Sequence, residues 1–131
     1  MVVDAGGGTL VLIVEDEPDN REIMRAVVED LLGYRAMLAN DGMAAVDAAT
    51  SNQPSLILMD LMMPTLDGFE ATRRIKANPL TSHIPVVAVT ALGRPIDRER
   101  AVEEGADAYL SKPFDLDTLA AIIERYASGQ Q

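Results

Sequence analysis

Two hydrophobic patterns alternate along the chain. Leu10-Val11-Leu12-Ile13-Val14, Leu56-Ile57-Leu58-Met59 and Val86-Val87-Ala88-Val89 are short apolar runs without the polar alternation of a half-exposed strand. Bounded by turn-forming residues, they predict strands buried on both faces, as inside a parallel sheet. Tyr34 to Ala39 is less apolar and predicts a strand nearer an edge, and Ala108-Tyr109-Leu110-Ser111 predicts a short fifth strand. Between these runs the period changes to that of a helix. After Pro18 and Asp19, the rows Ile23, Val27, Leu31 and Met24, Val28, Leu32 predict a helix laid on the sheet and stopped at Gly33. Asn40-Asp41-Gly42 turns into an alanine-rich helix from Met43 to about Thr50, which Ser51-Asn52-Gln53-Pro54 ends. Asp67 is placed to cap a helix from Gly68 to about Ala77, with Phe69, Thr72 and Ile75 inward and Arg73, Arg74 and Lys76 solvated. A further helix runs from about Pro95 to Glu104 and stops at Gly105, and Asp115 can cap a last one carrying Leu116, Leu119, Ile123 and Tyr126.

Five strands alternating with five helices predict a parallel sheet with right-handed crossovers and helices on both faces. The expected fold is α/β: a doubly wound (βα)5 three-layer sandwich, flavodoxin-like, with strand order 2-1-3-4-5 and a switch point between the first and third strands. One domain is expected over residues 10–127, with 1–9 a flexible leader and 128–131 a tail.

Composition narrows the function classes. The 11 basic and 21 acidic residues leave a net charge of −10, which repels nucleic acid phosphates and anionic lipid, so no direct nucleic acid or membrane partner is expected. The chain contains no cysteine, which excludes disulfides, thiolate metal sites and cysteine nucleophiles and fits a cytoplasmic location. Gly6-Gly7-Gly8 precedes a strand instead of following one, the wrong order for a phosphate-cradling loop.

The chemistry lies where the apolar runs stop. The first ends on Glu15-Asp16, the third on Asp60, the fourth on Thr90 and the fifth on Lys112. In an open α/β sheet these ends share one edge, and ligands bind there. A strand ending on an acid is common, so the inference rests on the set. Three carboxylates at one edge repel one another unless a cation compensates them, and hard oxygen ligands suit Mg²⁺ completed by a phosphate oxygen. A hydroxyl and an ammonium beside such a metal describe a site that receives a phosphoryl group.

From Leu10 to Tyr126 the sequence resembles the receiver domain of two-component response regulators, in the single-domain, chemotaxis-regulator-like form. The likeness is carried by Val14-Glu15-Asp16-Glu17-Pro18, by Leu58-Met59-Asp60-Leu61-Met62-Met63-Pro64 with Asp67-Gly68, by Val89-Thr90-Ala91, and by Gly105 through Lys112-Pro113-Phe114. The resemblance implies a bacterial phosphorelay protein in which Asp60 is the phosphoacceptor. It implies Mg²⁺ on Asp16, Asp60 and the backbone carbonyl of Met62, with Glu15 acting through water. Thr90 would hydrogen-bond the phosphoryl group, Lys112 would pair with it, and Tyr109 would turn inward on activation. The Lys112-Pro113 peptide is expected to be cis. Glu15 stands where Asp is more frequent in the family. His83, in Thr81-Ser82-His83, is expected to be a surface residue and not a phosphodonor.

The implied partners are a sensor histidine kinase or phosphotransfer protein and a downstream effector on the surface of the fourth helix, fifth strand and fifth helix. A monomer or a phosphorylation-dependent dimer is expected. The chain would catalyse only its own phosphorylation and dephosphorylation. Met62 and Leu92, two residues after Asp60 and Thr90, are bulky and apolar, which predicts slow hydrolysis of the phosphorylated form. A receiver fragment of a larger regulator is an alternative within this reading. Of two rivals outside it, a Mg²⁺-dependent aspartyl-phosphate phosphatase wants a second Asp shortly after the nucleophile, where this chain has Leu61 and Met62. A flavodoxin-like cofactor binder wants aromatic stacking residues near the switch point and a phosphate loop.

Overall fold

The computed structural model describes residues 9–63 and 65–127. The expected leader up to residue 8, the expected tail and Pro64 of the motif after Asp60 lie outside the described residues. The strands are β1 (Leu10–Val14), β2 (Arg35–Ala39), β3 (Leu56–Met59), β4 (Val86–Thr90) and β5 (Ala108–Ser111). The helices are α1 (Pro18–Ala26, continued by a π-helical turn over Val27–Leu31), α2 (Gly42–Asn52), α3 (Gly68–Ala77), α4 (Pro95–Glu103) and α5 (Leu116–Ala127). All five strands pair in parallel in the order β2-β1-β3-β4-β5, as the pattern predicts.

Because successive strand side chains point to opposite faces, each apolar run feeds two cores. Leu12, Val14, Ile57, Met59, Val86 and Ala88 pack under α2, α3 and α4, against Ala45, Ala49, Phe69, Ile75 and Ala101. Val11, Ile13, Leu56, Leu58, Val87 and Val89 pack under α1 and α5, against Met24, Val27, Val28, Leu119 and Ile123. Central strands buried on both faces leave no room for polar alternation, which is why they read as unbroken runs.

Three local expectations are corrected. In α1, Met24, Val27 and Val28 are buried, but Ile23 and Leu31 are 44% and 61% exposed. The helix widens after Ala26, where the Leu32 N–H reaches back five residues to the Val27 carbonyl, so the rows stop tracking the sheet. The same turn directs Glu29 at the outer edge of β2, where it accepts the Ala36 N–H at 3.1 Å and covers an edge-strand donor. Lys76 is mostly buried: its ammonium donates to the Ile84 carbonyl at 2.7 Å and pairs with Asp107 at 2.9 Å, tying α3 to the turns that lead into β4 and β5. Finally, α2 starts at Gly42 and extends to Asn52, with Asp41 capping the Ala44 N–H at 2.8 Å. Gly33 and Gly105, at φ +76 and +110, end α1 and α4 in the left-handed conformation that favours glycine. Phe69, Thr72 and Ile75 are buried and His83 is exposed, as expected.

Candidate functional site: the strand-end acids and Lys112

Parallel register delivers the chemical groups to one edge. Val14, Met59 and Ala88 lie level across β1, β3 and β4, so Glu15 and Asp60 emerge side by side and Thr90 follows one strand further along. The Asp60 N–H donates to the Val14 carbonyl at 3.0 Å and the Lys112 N–H to the Thr90 carbonyl at 2.8 Å, which extends the ladder to the site residues themselves. Ligand oxygens of Glu15, Asp16 and Asp60 lie within 4.8 Å of one another. Glu15 and Asp60 are buried, at 1% and 5% exposure, while Asp16 faces solvent.

Buried carboxylates need partners. The Lys112 ammonium lies 2.7 Å from Glu15 Oε1 and 3.5 Å from Asp60 Oδ2, so one cation serves both acids. The Met62 N–H donates to the other Asp60 oxygen at 3.2 Å. Burial pushes the Glu15 carboxyl above its ordinary range, the Lys112 hydrogen bond opposes that shift, and the charge of Asp60 adds to it. Burial also acts to lower Lys112, but the two carboxylates outweigh it and hold its pKa above the usual lysine value. The Lys112-Pro113 peptide is cis, as expected.

Thr90 is fully buried at the end of β4, and its hydroxyl oxygen accepts the Leu92 N–H at 3.2 Å. The half-buried Tyr109 on β5 donates its hydroxyl to the Leu92 carbonyl. Leu92 therefore links Thr90 and Tyr109 through its two backbone groups. The Arg98 guanidinium of α4 covers the Tyr109 ring at 4.9 Å from the centroid. The start of α3 presses on the acid from behind: a Cβ added to Gly68 would collide with the Asp60 carbonyl oxygen and lie 2.7 Å from Leu61 Cα.

Glu15, Asp16, Asp60, Thr90 and Lys112 are thus brought to one edge with Met62 in the loop beside them, while Tyr109 lies within β5, level with Ala88. Two carboxylates deprived of water and a third beside them form an oxygen donor set that fits a hard divalent cation, with the Lys112 ammonium offsetting part of their charge. Sequence reading missed the direct Glu15 to Lys112 contact and the arginines of α4. Residues 97 positions apart meet only through sheet register, and Arg98 reads in sequence as one more surface charge.

Comparison with known proteins agrees with this geometry. The family model for the response regulator receiver domain matches residues 11–124. The chain is 38% identical over 116 residues to the polar-differentiation response regulator DivK of Brucella anthropi, covering 88% of this chain and 94% of DivK. It is 37% identical over 121 residues to the response regulator Rre1 of Synechocystis sp., covering 92% of this chain but only 52%, about half, of that relative's length. Among solved structures, the receiver domain of sensor histidine kinase PA1611 from Pseudomonas aeruginosa, which has a magnesium ion coordinated in its active site cleft, superposes with a TM-score of 0.85 at 38% identity. That match covers 93% of this chain and 99% of the other. The fold, the strand-end acids and these matches converge: the chain belongs to the response regulator receiver domains, signalling modules of two-component systems.

Proposed function

We propose that this receiver is a phosphorylation-activated switch whose phosphoacceptor is Asp60. The observation that carries the reading is the clustering of Asp60 with Glu15 and Asp16 around one edge, with the Lys112 ammonium 3.5 Å from Asp60 and 2.7 Å from Glu15. The donor is the phosphohistidine of a sensor histidine kinase or of a phosphotransfer protein in the cytoplasm. An Asp60 carboxylate oxygen forms a bond to phosphorus while the bond from phosphorus to the imidazole nitrogen breaks, and the electron pair leaves with the imidazole. Asp16, Asp60 and the Met62 carbonyl would hold Mg²⁺, with Glu15 acting through water. When bound there, the ion would supply charge neutralisation for the phosphoryl group. Lys112 contributes a fixed positive charge to the same group, and Thr90 a hydroxyl donor once it turns from the Leu92 N–H.

An acyl phosphate carries more charge and more acceptor oxygens than the carboxylate it replaces, so the surrounding donors shift toward it. Leu92 ties Thr90 to Tyr109, so movement of the hydroxyl is felt by the ring and by the face of α4, β5 and α5. That face is the proposed effector surface, and the response is a population shift between two packings. The protein is a monomer or dimerises on phosphorylation. No second acid follows Asp60 closely, since Leu61 and Met62 occupy that space, which favours a switch over a phosphatase.

The test is intact-mass measurement after incubation with Mg²⁺ and a small acyl phosphate. The expected outcome is a gain of one phosphoryl group that is absent from Asp60→Asn and from metal-free protein. A gain that persists in Asp60→Asn would place the acceptor elsewhere and overturn the assignment.

A further inference from the structure

Beside the strand-end acids a groove of about 530 Å³ opens between the β3–α3 loop and the start of α4. Its volume lies within the range of small-molecule sites, roughly 300 to 1,000 Å³. Asp16 and Met62 line it on the side of the acids, where Asp16 adjoins Asp60, and Leu92, Arg94, Asp97 and Arg100 also line it.

The charges lining the groove have assignable partners, with one exception. Asp16 belongs to the acid cluster. Asp67 caps α3 by accepting the Glu70 N–H at 2.9 Å. Arg94 and Asp97 form a two-pronged ion pair at 2.9 and 3.0 Å. The guanidinium of Arg100 lies over Phe69, 3.9 Å from the ring centroid, and among the described residues it forms no ion pair within 4.0 Å. Asp97 feels its charge without pairing with it. The contact with the ring face holds the guanidinium in place without using its N–H donors. In a chain of net charge −10, this is a cation with its donors open at the mouth of an acidic site.

We propose that the groove is a leaving-group subsite for small acyl phosphate donors, in which Arg100 recognises the departing carboxylate. The proposal rests on the reading that Asp60 accepts a phosphoryl group. In that transfer the Asp60 oxygen bonds to phosphorus as the bond from phosphorus to the acyl oxygen breaks. The electron pair departs on the carboxylate, and no proton is needed. In-line displacement places the leaving oxygen on the side of phosphorus away from Asp60, and in this proposal that side is the groove. Negative charge grows on that oxygen in the transition state, so a positioned guanidinium there speeds the step. Phosphoramidate expels a neutral amine and gives Arg100 no anion to meet, so the two donors separate this role from a general one.

The experiment compares wild type, Arg100→Met and Arg100→Lys in rate of phosphoryl gain by intact mass with saturating Mg²⁺, using acetyl phosphate and phosphoramidate in turn. Methionine keeps an apolar cover on Phe69, and Arg100 is exposed, so the fold is preserved. Arg100→Met should slow the acetyl phosphate reaction roughly three- to tenfold and leave the phosphoramidate reaction within about twofold, the size one exposed charge-assisted hydrogen bond supports. Arg100→Lys should fall between wild type and Arg100→Met. An unchanged ratio between donors, whether both rates fall together or neither falls, overturns the subsite and leaves Asp60 as acceptor. Folded wild-type protein that takes a phosphoryl group from neither donor overturns both.

Discussion

Lys112 holds its place by serving two acids that cannot reach water. At 15% exposure, and 2.7 and 3.5 Å from Glu15 and Asp60, it offsets two desolvated carboxylates with one charge. Removing one partner of a buried ionic group costs more than the pair contributes, because the remaining charge stays buried and uncompensated. Lys112→Met is expected to destabilise the metal-free protein by about 2 to 4 kcal/mol. Saturating Mg²⁺ should recover part of that loss, since a cation on the same acids replaces the missing charge and binds only the folded state. Urea unfolding with and without Mg²⁺ checks this, and a deficit that Mg²⁺ leaves untouched would count against charge sharing. The acids, Thr90 and Lys112 were legible in the sequence because each terminates an apolar run. The 2.7 Å contact was not, because it depends on which strand ends lie side by side and how far each side chain reaches.

At the scale of elements, the helix that follows an acid-bearing strand also positions the acid. Gly68 opens α3 where the helix presses on the end of β3, and an added Cβ would meet the Asp60 carbonyl and Leu61 Cα. Both are backbone, which yields less readily than a side chain. Gly68→Ala should therefore cost about 1 to 3 kcal/mol. It should also slow phosphoryl gain relative to wild type, because the displaced atoms belong to Asp60 itself. Thermal unfolding and intact-mass rates measure the two effects, and lost stability with an unchanged rate would show that the contact only packs. In sequence, Asp67-Gly68 read as a cap and a turn, which it is; the tight approach to Asp60 appears only when α3 is seen against β3. The π-helical turn of α1 was equally hidden. Its residues fit an ordinary helical period, and Glu29 reads as one more surface acid until the edge of β2 is placed beside it.

At the scale of the whole molecule, if Asp60 is the phosphoacceptor as proposed, the lifetime of its phosphorylated state depends on how water reaches it. Met62, 59% exposed, and the half-buried Leu92 both line the groove beside the acids. Neither side chain can orient an attacking water. Met62→Asn and Leu92→Glu are each expected to speed phosphoryl decay on the order of a few-fold by supplying polar groups at that entrance. Following the loss of the phosphoryl mass over time checks this, and unchanged or slower decay in both variants would exclude the role. Leu92 also joins Thr90 to Tyr109 through its backbone, so its replacement is read together with Met62→Asn, which leaves that link intact.

The sequence by itself determined the doubly wound order and the polar residues that end four of the five strands. Burial on both faces forces unbroken apolar runs, and an acid or hydroxyl that ends such a run stands out against them. Tertiary structure alone decided which partners these groups take. Lys112 engages Glu15 more closely than Asp60, Leu92 ties Thr90 to Tyr109, and Arg100 rests on Phe69 facing the groove. These pairings join residues on different elements, and their distances are set by strand register and helix packing, quantities that no local pattern in the chain encodes.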